Sequence, residues 1–227
     1  MSGWIGYSAE DFLLFSPRVY WRLLELHNAS LWPLHLAMVV LAAGIVLGLR
    51  QRAPAANRAA CTALALIWLW VGWSFLAQRY ATINWAAGYA AWAFYVQALL
   101  IAGVGGIAGR VGIENVSTVA RSVGIVLTGY AVLLHPLVAM ATGRGIASAE
   151  VFGIMPDPTA IATLGVVVMM HRAGAAWLLL PIPALWCLVS AVTLYAMGGP
   201  EGWLPLGAAA LAVAVSPVSS RRRRVET

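Results

Sequence analysis

The feature that most constrains this chain is a series of apolar runs separated by short polar connections. Seven runs lie at about residues 31–49, 60–78, 84–108, 118–142, 158–171, 175–197 and 202–218. A helix needs about 20 mostly apolar residues to cross the hydrocarbon core of a bilayer, and most of the runs approach that length. Because backbone polar groups inside a bilayer must be hydrogen-bonded within their segment, we predict an all-α, polytopic transmembrane bundle of about seven spans.

The fifth run is shorter than the others and follows Pro156, Asp157 and Pro158. It is either a full span or a re-entrant hairpin. One interpretation is mechanical: Asp157 caps the helix and Pro158 takes its first position. The other is a discontinuous helix whose N-terminal dipole faces an anion at membrane depth, as in transporters. Pro181 and Pro183 in the sixth run predict a kink that would suit such a cavity.

The arginines predict an orientation, because arginines near span ends favour the cytoplasmic side. With the N-terminus outside, the inner segments contain Arg50, Arg52, Arg58, Arg110, Arg121, Arg172 and Arg221 to Arg224. The outer segments contain only Arg18, Arg22, Arg79 and Arg144. We therefore predict an N-out, C-in arrangement in which every inner segment is basic.

The chain divides into three parts by its polarity. Residues 1–30 are predicted to be an interfacial amphipathic segment, with a helix over 9–27 that Pro17 breaks; a soluble cap packed on the bundle fits the same pattern. Residues 31–218 form the bundle, and 219–227 form a basic cytoplasmic tail. The tail carries Arg221, Arg222, Arg223 and Arg224, and we expect it to contact anionic membrane lipid rather than nucleic acid.

Several classes of chemistry are excluded or disfavoured. All 14 basic residues are arginines, so lysine Schiff-base chemistry is excluded. Cys61 and Cys187 both lie in apolar runs, so we expect neither a disulfide nor a CxxC site. The chain also lacks a metalloprotease motif, a phosphate-binding loop and a nucleophile elbow, so we do not expect an enzyme.

Two histidines fall within predicted spans, where ionisable groups are candidates for function. His35 lies near the outer end of the first run and His135 near the outer end of the fourth. Facing imidazoles can bind b-type haem or a transition metal. The alternative is that each ring donates to a nearby carbonyl; Pro136 frees the carbonyl of Val132 for such a bond. No cofactor is predicted outright, and both interpretations stay open.

A candidate polar cavity is predicted at the outer side of the bundle. Its residues are Arg79 and Asn84 in the turn between the second and third runs, together with His135 and Asp157. Arg79 has two other possible roles. It can extend to lipid phosphate, or it can pair with Asp157 or Glu25.

Three stretches carry a family resemblance. They are LLFSPRVYWRLLELHNASLWP near the start, RYATINWAA in the middle, and FGIMPDPTAIATLG followed by LLPIPALWCLVSA. In this order they resemble an uncharacterised family of bacterial multi-pass membrane proteins, a domain of unknown function. The resemblance implies a bacterial inner-membrane location but no activity. Members of that family tend to have cysteine between the two prolines, where this chain has Asp157.

Three functions agree with these patterns. The first is a small-solute or ion permease with an outer polar cavity, favoured by the proline-interrupted fifth and sixth runs. The second is a non-catalytic subunit or assembly factor of a larger membrane complex, with other membrane subunits or further copies of this chain as partners. The third is a haem- or metal-binding redox protein, which requires His35 and His135 to meet.

Overall fold

The computed structural model describes residues 13–51, 53–109, 116–170 and 173–216, and every named element in these ranges is helical. The α-helices are α1 (Pro17–Leu31), α2 (Leu34–Arg50), α3 (Pro54–Val71), α4 (Ala86–Ile101), α5 (Thr118–Gly129), α6 (His135–Ala141), α7 (Pro156–Val168), α8 (Ala173–Leu179), α9 (Pro181–Ala196) and α10 (Trp203–Val215). The predicted all-α fold is therefore confirmed.

Four continuous helical segments are long and apolar enough to cross a membrane. They are Pro54–Thr82, Ala86–Ile107, Thr118–Ala141 and Gly174–Ala196. α1 and α2 are long and apolar enough to cross a membrane only when they are counted as one segment, and the two helices are bent by 84° relative to each other. α7 and the segment Pro200–Val215 are apolar but shorter. The described part of the chain thus contains four candidate spans, or five if the bent pair counts as one.

Helix α1 begins at Pro17, and the described residues before it, 13–16, are not helical, so of the helix predicted over 9–27 only the part from the proline onwards is observed. Ser16 is the N-cap residue, and its side chain accepts a hydrogen bond from the backbone N–H of Val19. Proline suits the first position of a helix because the N–H it lacks would have no partner there. The part of the predicted helix before residue 13 lies outside the described residues.

Three of the long segments contain a π-helical stretch. α3 continues into Gly72–Ala77, α4 into Ala102–Ile107, and α5 into Tyr130–Leu134 before α6 begins at His135. A π-helix takes one more residue per hydrogen-bonded turn than an α-helix and often occurs at functional sites. Each stretch therefore changes the face on which the following side chains lie.

Helix α7 is the centre of the bundle, and all 13 of its residues are buried. It packs against α5, α9 and α10. At the crossing with α5, a Cβ atom on Gly124 would lie 2.6 Å from the carbonyl oxygen of Gly165. Small residues of this kind let two helix backbones approach closely in membrane proteins. The large apolar side chains on the outside, such as Val40 and Leu99, suit contact with lipid.

Helix α1 covers one end of this bundle and carries the buried histidine His27. The ring of His27 packs edge-to-face on Phe75, with ring centroids 5.3 Å apart. Burial, together with the positive charge of Arg79, lowers the pKa of His27 from its usual value of 6.5 to about 4. The folded protein therefore keeps this imidazole neutral at a pH where the unfolded chain protonates it.

This depressed pKa predicts acid sensitivity. Stability contributed by neutral His27 is present above the unfolded pKa and is lost as the pH falls towards the folded pKa. We expect His27 to lower the free energy of unfolding by about 2 kcal/mol on going from pH 7 to pH 5. Unfolding of the wild type and of His27→Phe in detergent at both pH values measures this difference. An equal acid loss in the two proteins would contradict it.

Candidate functional site

Five ionisable side chains that are distant in sequence meet at one end of the bundle. They are His135, Arg144, Glu150, Asp157 and Glu201, and we call them the polar cluster. Their side chains are no more than about a tenth exposed. Ionisable groups are rarely buried unless they are paired or bind a ligand, so this is the place where function is most expected.

His135 owes its orientation to the π-helical stretch before it. Pro136 lacks a backbone N–H, so the regular hydrogen-bond pattern is interrupted here. Tyr130, five residues earlier, places its hydroxyl 3.1 Å from Nδ1 of His135. The other ring nitrogen, Nε2, lies 3.7 Å from a carboxylate oxygen of Glu150. The contact with Tyr130 orients the ring so that Nε2 faces the acid.

Arg144 is held by the turn that ends α6. Gly143 and Gly145 on either side have positive φ angles of 76° and 83°. The N–H of Arg144 donates to the carbonyl of Ala139, and that of Gly143 donates to the carbonyl of Met140. This is the glycine-dependent helix ending that satisfies the last free carbonyls. The turn reverses the chain and directs the arginine inward.

The guanidinium of Arg144 contacts several groups at once. Its nitrogens lie 3.7 Å from Glu150 and 3.2 Å from Glu201. Nε donates to the Thr142 hydroxyl at 2.9 Å, and the group lies over the ring of Trp21, 3.7 Å from the centroid. Arg144 therefore joins two acids from different connections. Its cation–π contact with Trp21 also attaches helix α1 to this group.

Glu150 lies in the segment that links α6 to α7, and α1 holds that segment in place. The side-chain amide of Asn28 on α1 donates to the carbonyls of Ala147 and Ala149, both at 2.8 Å. The side-chain oxygen of Asn28 lies 3.0 Å from Nε2 of His35. Helix α1 thus covers the polar cluster and fixes the backbone beside Glu150.

Asp157 lies at the second residue of α7, not at its N-cap, which is Met155. The expectation that Asp157 caps the helix, with Pro158 at its first position, was therefore wrong. Its oxygens instead accept hydrogen bonds from Trp186 Nε1 at 2.7 Å and from the Ser190 hydroxyl. Both donors lie on α9, so the carboxylate joins the central helix to its neighbour.

Three members of the polar cluster could bind one metal ion together. One ligand atom from each of His135, Glu150 and Asp157 lies within 4.8 Å of the other two. Imidazole suits Zn²⁺, Fe²⁺ and related ions, whereas carboxylates suit harder cations such as Mn²⁺ and Mg²⁺. A mixed set of this kind fits a divalent cation of the first transition row.

The charge balance of the polar cluster also favours a bound cation. The cluster contains three carboxylates, from Glu150, Asp157 and Glu201, and a single guanidinium, which pairs with Glu150 and Glu201. Even with His135 protonated, acids outnumber cations among these five residues. A buried excess charge is costly unless it is neutralised, so the cluster is suited to hold a cation or protons.

The structure brings together only some of the residues predicted for the polar cavity. His135 and Asp157 are neighbours in the polar cluster. Asn84 borders a cavity of about 70 Å³ that also reaches Trp186 and Ser190, the two side chains that bind Asp157. Arg79 lines a different cleft with Arg18 and Arg22.

Neither predicted ion pair of Arg79 is present among the described residues. Asp157 binds Trp186 and Ser190, and Glu25 pairs with Arg22 at 2.7 Å. The two histidines of the predicted haem pair also have separate partners, since His35 bonds to Asn28 and His135 to Tyr130. The haem site stays a prediction.

Sequence patterns did not identify Arg144, Glu150 and Glu201 as site residues. All three lie in connections between apolar runs, and Arg144 was considered only as one of the outer arginines. A signal was nevertheless available, because Arg144 stands between two glycines and Glu201 follows Gly199 and Pro200. Such turns can return a charged side chain to the core, but the sequence does not show which turns will meet.

Two further expectations concern residues away from the cluster. Cys61 and Cys187 are both buried free thiols, as predicted from their apolar surroundings. The basic tail, including Arg221, Arg222, Arg223 and Arg224, lies outside the described residues, so its contact with lipid stays a prediction.

Comparison with known proteins gives a family but no activity. The model of a family described as a family of unknown function (DUF6064) matches residues 17–227. No curated protein and no solved structure shows a significant match.

Proposed function

We propose that this chain, which belongs to the DUF6064 family of unknown function, is an ion permease that carries a divalent metal cation across a membrane. The observation that carries this proposal is the buried triad of His135, Glu150 and Asp157, whose ligand atoms lie within 4.8 Å of one another. In the proposal these three side chains bind the cation, and Arg144 and Glu201 hold Glu150 in position.

Electrostatics supports a cation at this position rather than an anion. Removing a carboxylate from water is costly unless its charge is compensated, and here two acids share one arginine while Asp157 has no arginine partner among the described residues. A bound divalent cation neutralises the excess. Protons do so in its absence, which gives a simple way to exchange one for the other.

The helix arrangement supports transport over a purely structural role. α7 is short, fully buried and begins at the polar cluster, between the long helices that surround it. Transporters commonly place their binding sites where a membrane helix is interrupted. The N-terminal dipole of α7 by itself favours an anion, so in the proposal the three carboxylates, not the helix end, attract the cation. The small cavity beside Trp186 and Ser190 leads towards Asp157, and α1 covers the cluster through Trp21 and Asn28. Movement of α1 would open the site.

The membrane arrangement is part of the proposal. We propose seven membrane segments, with α2, α7 and α10 added to the four long spans, the N-terminus outside and the C-terminus inside. The excess of arginine on the proposed inner side supports this orientation. A bacterial inner membrane is the location that the family resemblance implies.

Metal binding is the first test. Co²⁺ bound by imidazole and carboxylates has visible absorption, so titrating the purified, chelator-treated protein with Co²⁺ and competing with Mn²⁺ or Zn²⁺ measures occupancy. We expect Glu150→Gln and Asp157→Asn each to weaken Co²⁺ binding at least tenfold, equivalent to about 1.4 kcal/mol. Glu25→Gln removes an acid on α1 that is 29% exposed and lies outside the polar cluster, and it is the matched control.

Transport is the second test. Proteoliposomes containing a metal-sensitive dye should take up Mn²⁺ with the wild type and the Glu25→Gln control but not with Asp157→Asn. Absence of Co²⁺ binding in the wild type would refute the metal site. Normal binding without any uptake would refute the permease and leave a metal-binding membrane protein.

A further inference from the structure

A large apolar groove lies on the side of the bundle and runs from Val39 and Leu133, near His135 of the polar cluster, towards the other end. It runs between α2 and α5, and α7 contributes to its floor through Val166 and Met169. Its volume is about 870 Å³. This is at the upper end of the roughly 300–1,000 Å³ that ligand pockets occupy.

The groove has the length of one bilayer leaflet. Along α2 it extends from Val39 to Gln51, which at about 1.5 Å per residue is roughly 18 Å. Half of a hydrocarbon core of about 30 Å is roughly 15 Å. A groove of this length on the outside of an apolar bundle is accessible to a lipid acyl chain from the side.

One end of the groove is cationic. The charged residues among those that line it are Arg50, at the last turn of α2, and Arg121, in the first turns of α5. Both are exposed, and neither forms an ion pair within the described ranges. The remainder of the wall is mostly aliphatic. Two guanidinium groups that pair with no acid in the described part of the chain form a binding place for a phosphate.

We propose that this groove is a binding site for an anionic phospholipid. One acyl chain lies along α2 and α5, and the headgroup phosphate lies between Arg50 and Arg121. The apolar length accounts for the chain, and the two arginines account for the preference for a negatively charged headgroup. In the orientation predicted from the arginines, the lipid belongs to the cytoplasmic leaflet. This site does not depend on the metal site.

Matched variants separate the two parts of the site. Arg50→Gln combined with Arg121→Gln removes the headgroup contacts, and Arg58→Gln changes an exposed arginine nearby that does not line the groove. Gly129→Leu fills the groove, since a Cβ on this lining glycine has no neighbour within 4 Å. Gly44→Leu adds the same bulk to α2 outside the groove, where a Cβ is equally free.

The experiment is native mass spectrometry of delipidated protein in detergent, titrated with phosphatidylglycerol or phosphatidylcholine. We expect one tightly held phosphatidylglycerol, bound at least fivefold better than phosphatidylcholine. The arginine pair variant should lose the headgroup preference, Gly129→Leu should lose the tight lipid, and both controls should bind as the wild type does. Equal retention of the two lipids by the wild type, or unchanged binding in the arginine pair variant, would overturn the site. The arginines are at the surface, so their variants test the proposal even if Gly129→Leu fails to fold.

Discussion

Replacement of Arg144 by glutamine is expected to lower the free energy of unfolding by about 3–5 kcal/mol, the usual cost of breaking a buried ion pair from one side. Arg144 is only 10% exposed and is the cation for both Glu150 and Glu201. Without it, two buried carboxylates lose the guanidinium that pairs with both of them. The change also removes the contact with Trp21 that attaches α1. Chemical denaturation in detergent, with a chelator present to exclude metal effects, measures the loss.

Three further variants identify the cause of that loss. Arg144→Lys keeps the charge but lacks the planar group that reaches both acids, so we expect an intermediate loss. Arg144→Gln combined with Glu201→Gln removes an acid together with its cation and should recover part of the stability. Arg22→Gln breaks an exposed pair with Glu25 and should cost less than about 1 kcal/mol. Equal effects of Arg144→Gln and Arg22→Gln would contradict the assignment of a buried network.

Replacement of Gly165 by alanine is expected to cost about 3 kcal/mol, at the upper end of the usual cost of overpacking. A Cβ at this position would lie 2.4 Å from the Thr128 hydroxyl oxygen and 2.7 Å from the carbonyl oxygen of Gly124. The carbonyl belongs to the backbone of α5, so no rotation of a side chain can relieve the second contact. α5 and α7 must move apart, and α7 is the buried centre of the fold.

The same substitution on the open side of α5 is the control. A Cβ on Gly129 meets nothing within 4 Å, so Gly129→Ala should be neutral or stabilising by about 0.5 kcal/mol, because alanine favours the helix. Unfolding of both variants in the same detergent gives the comparison. A loss of the same size in both would contradict the close approach of α5 and α7 as its cause, since Gly129 has no such contact.

Much of the fold was predictable because helix formation in apolar runs is a local property. The predicted run at 60–78 lies within Pro54–Thr82, and the run at 118–142 agrees with Thr118–Ala141. The span count was less predictable. α7 is a short helix in the interior, and an apolar run has the same composition whether protein or lipid surrounds it.

The candidate site was predictable only in part. His135 was identified because a polar group inside an apolar run is conspicuous, and Asp157 because it stands between two prolines at the start of one. Glu150 and Glu201 were not, because an acid in a connection usually faces water. The π-helical stretch that aligns Tyr130 with His135 also has no reliable signal in a periodicity of 3.6 residues.

The amino-acid sequence by itself determined the helical class, the positions of the apolar segments and the turns at Gly143 and Gly145, since each depends on residues close together in the chain. Only the tertiary structure decided which charges meet. Glu150 and Glu201 are 51 positions apart, and a single arginine joins them once α7 packs against α5, α9 and α10. Side chains so distant in sequence become neighbours through the packing of whole helices, and the amino-acid sequence around each of them does not indicate which residue its partner will be.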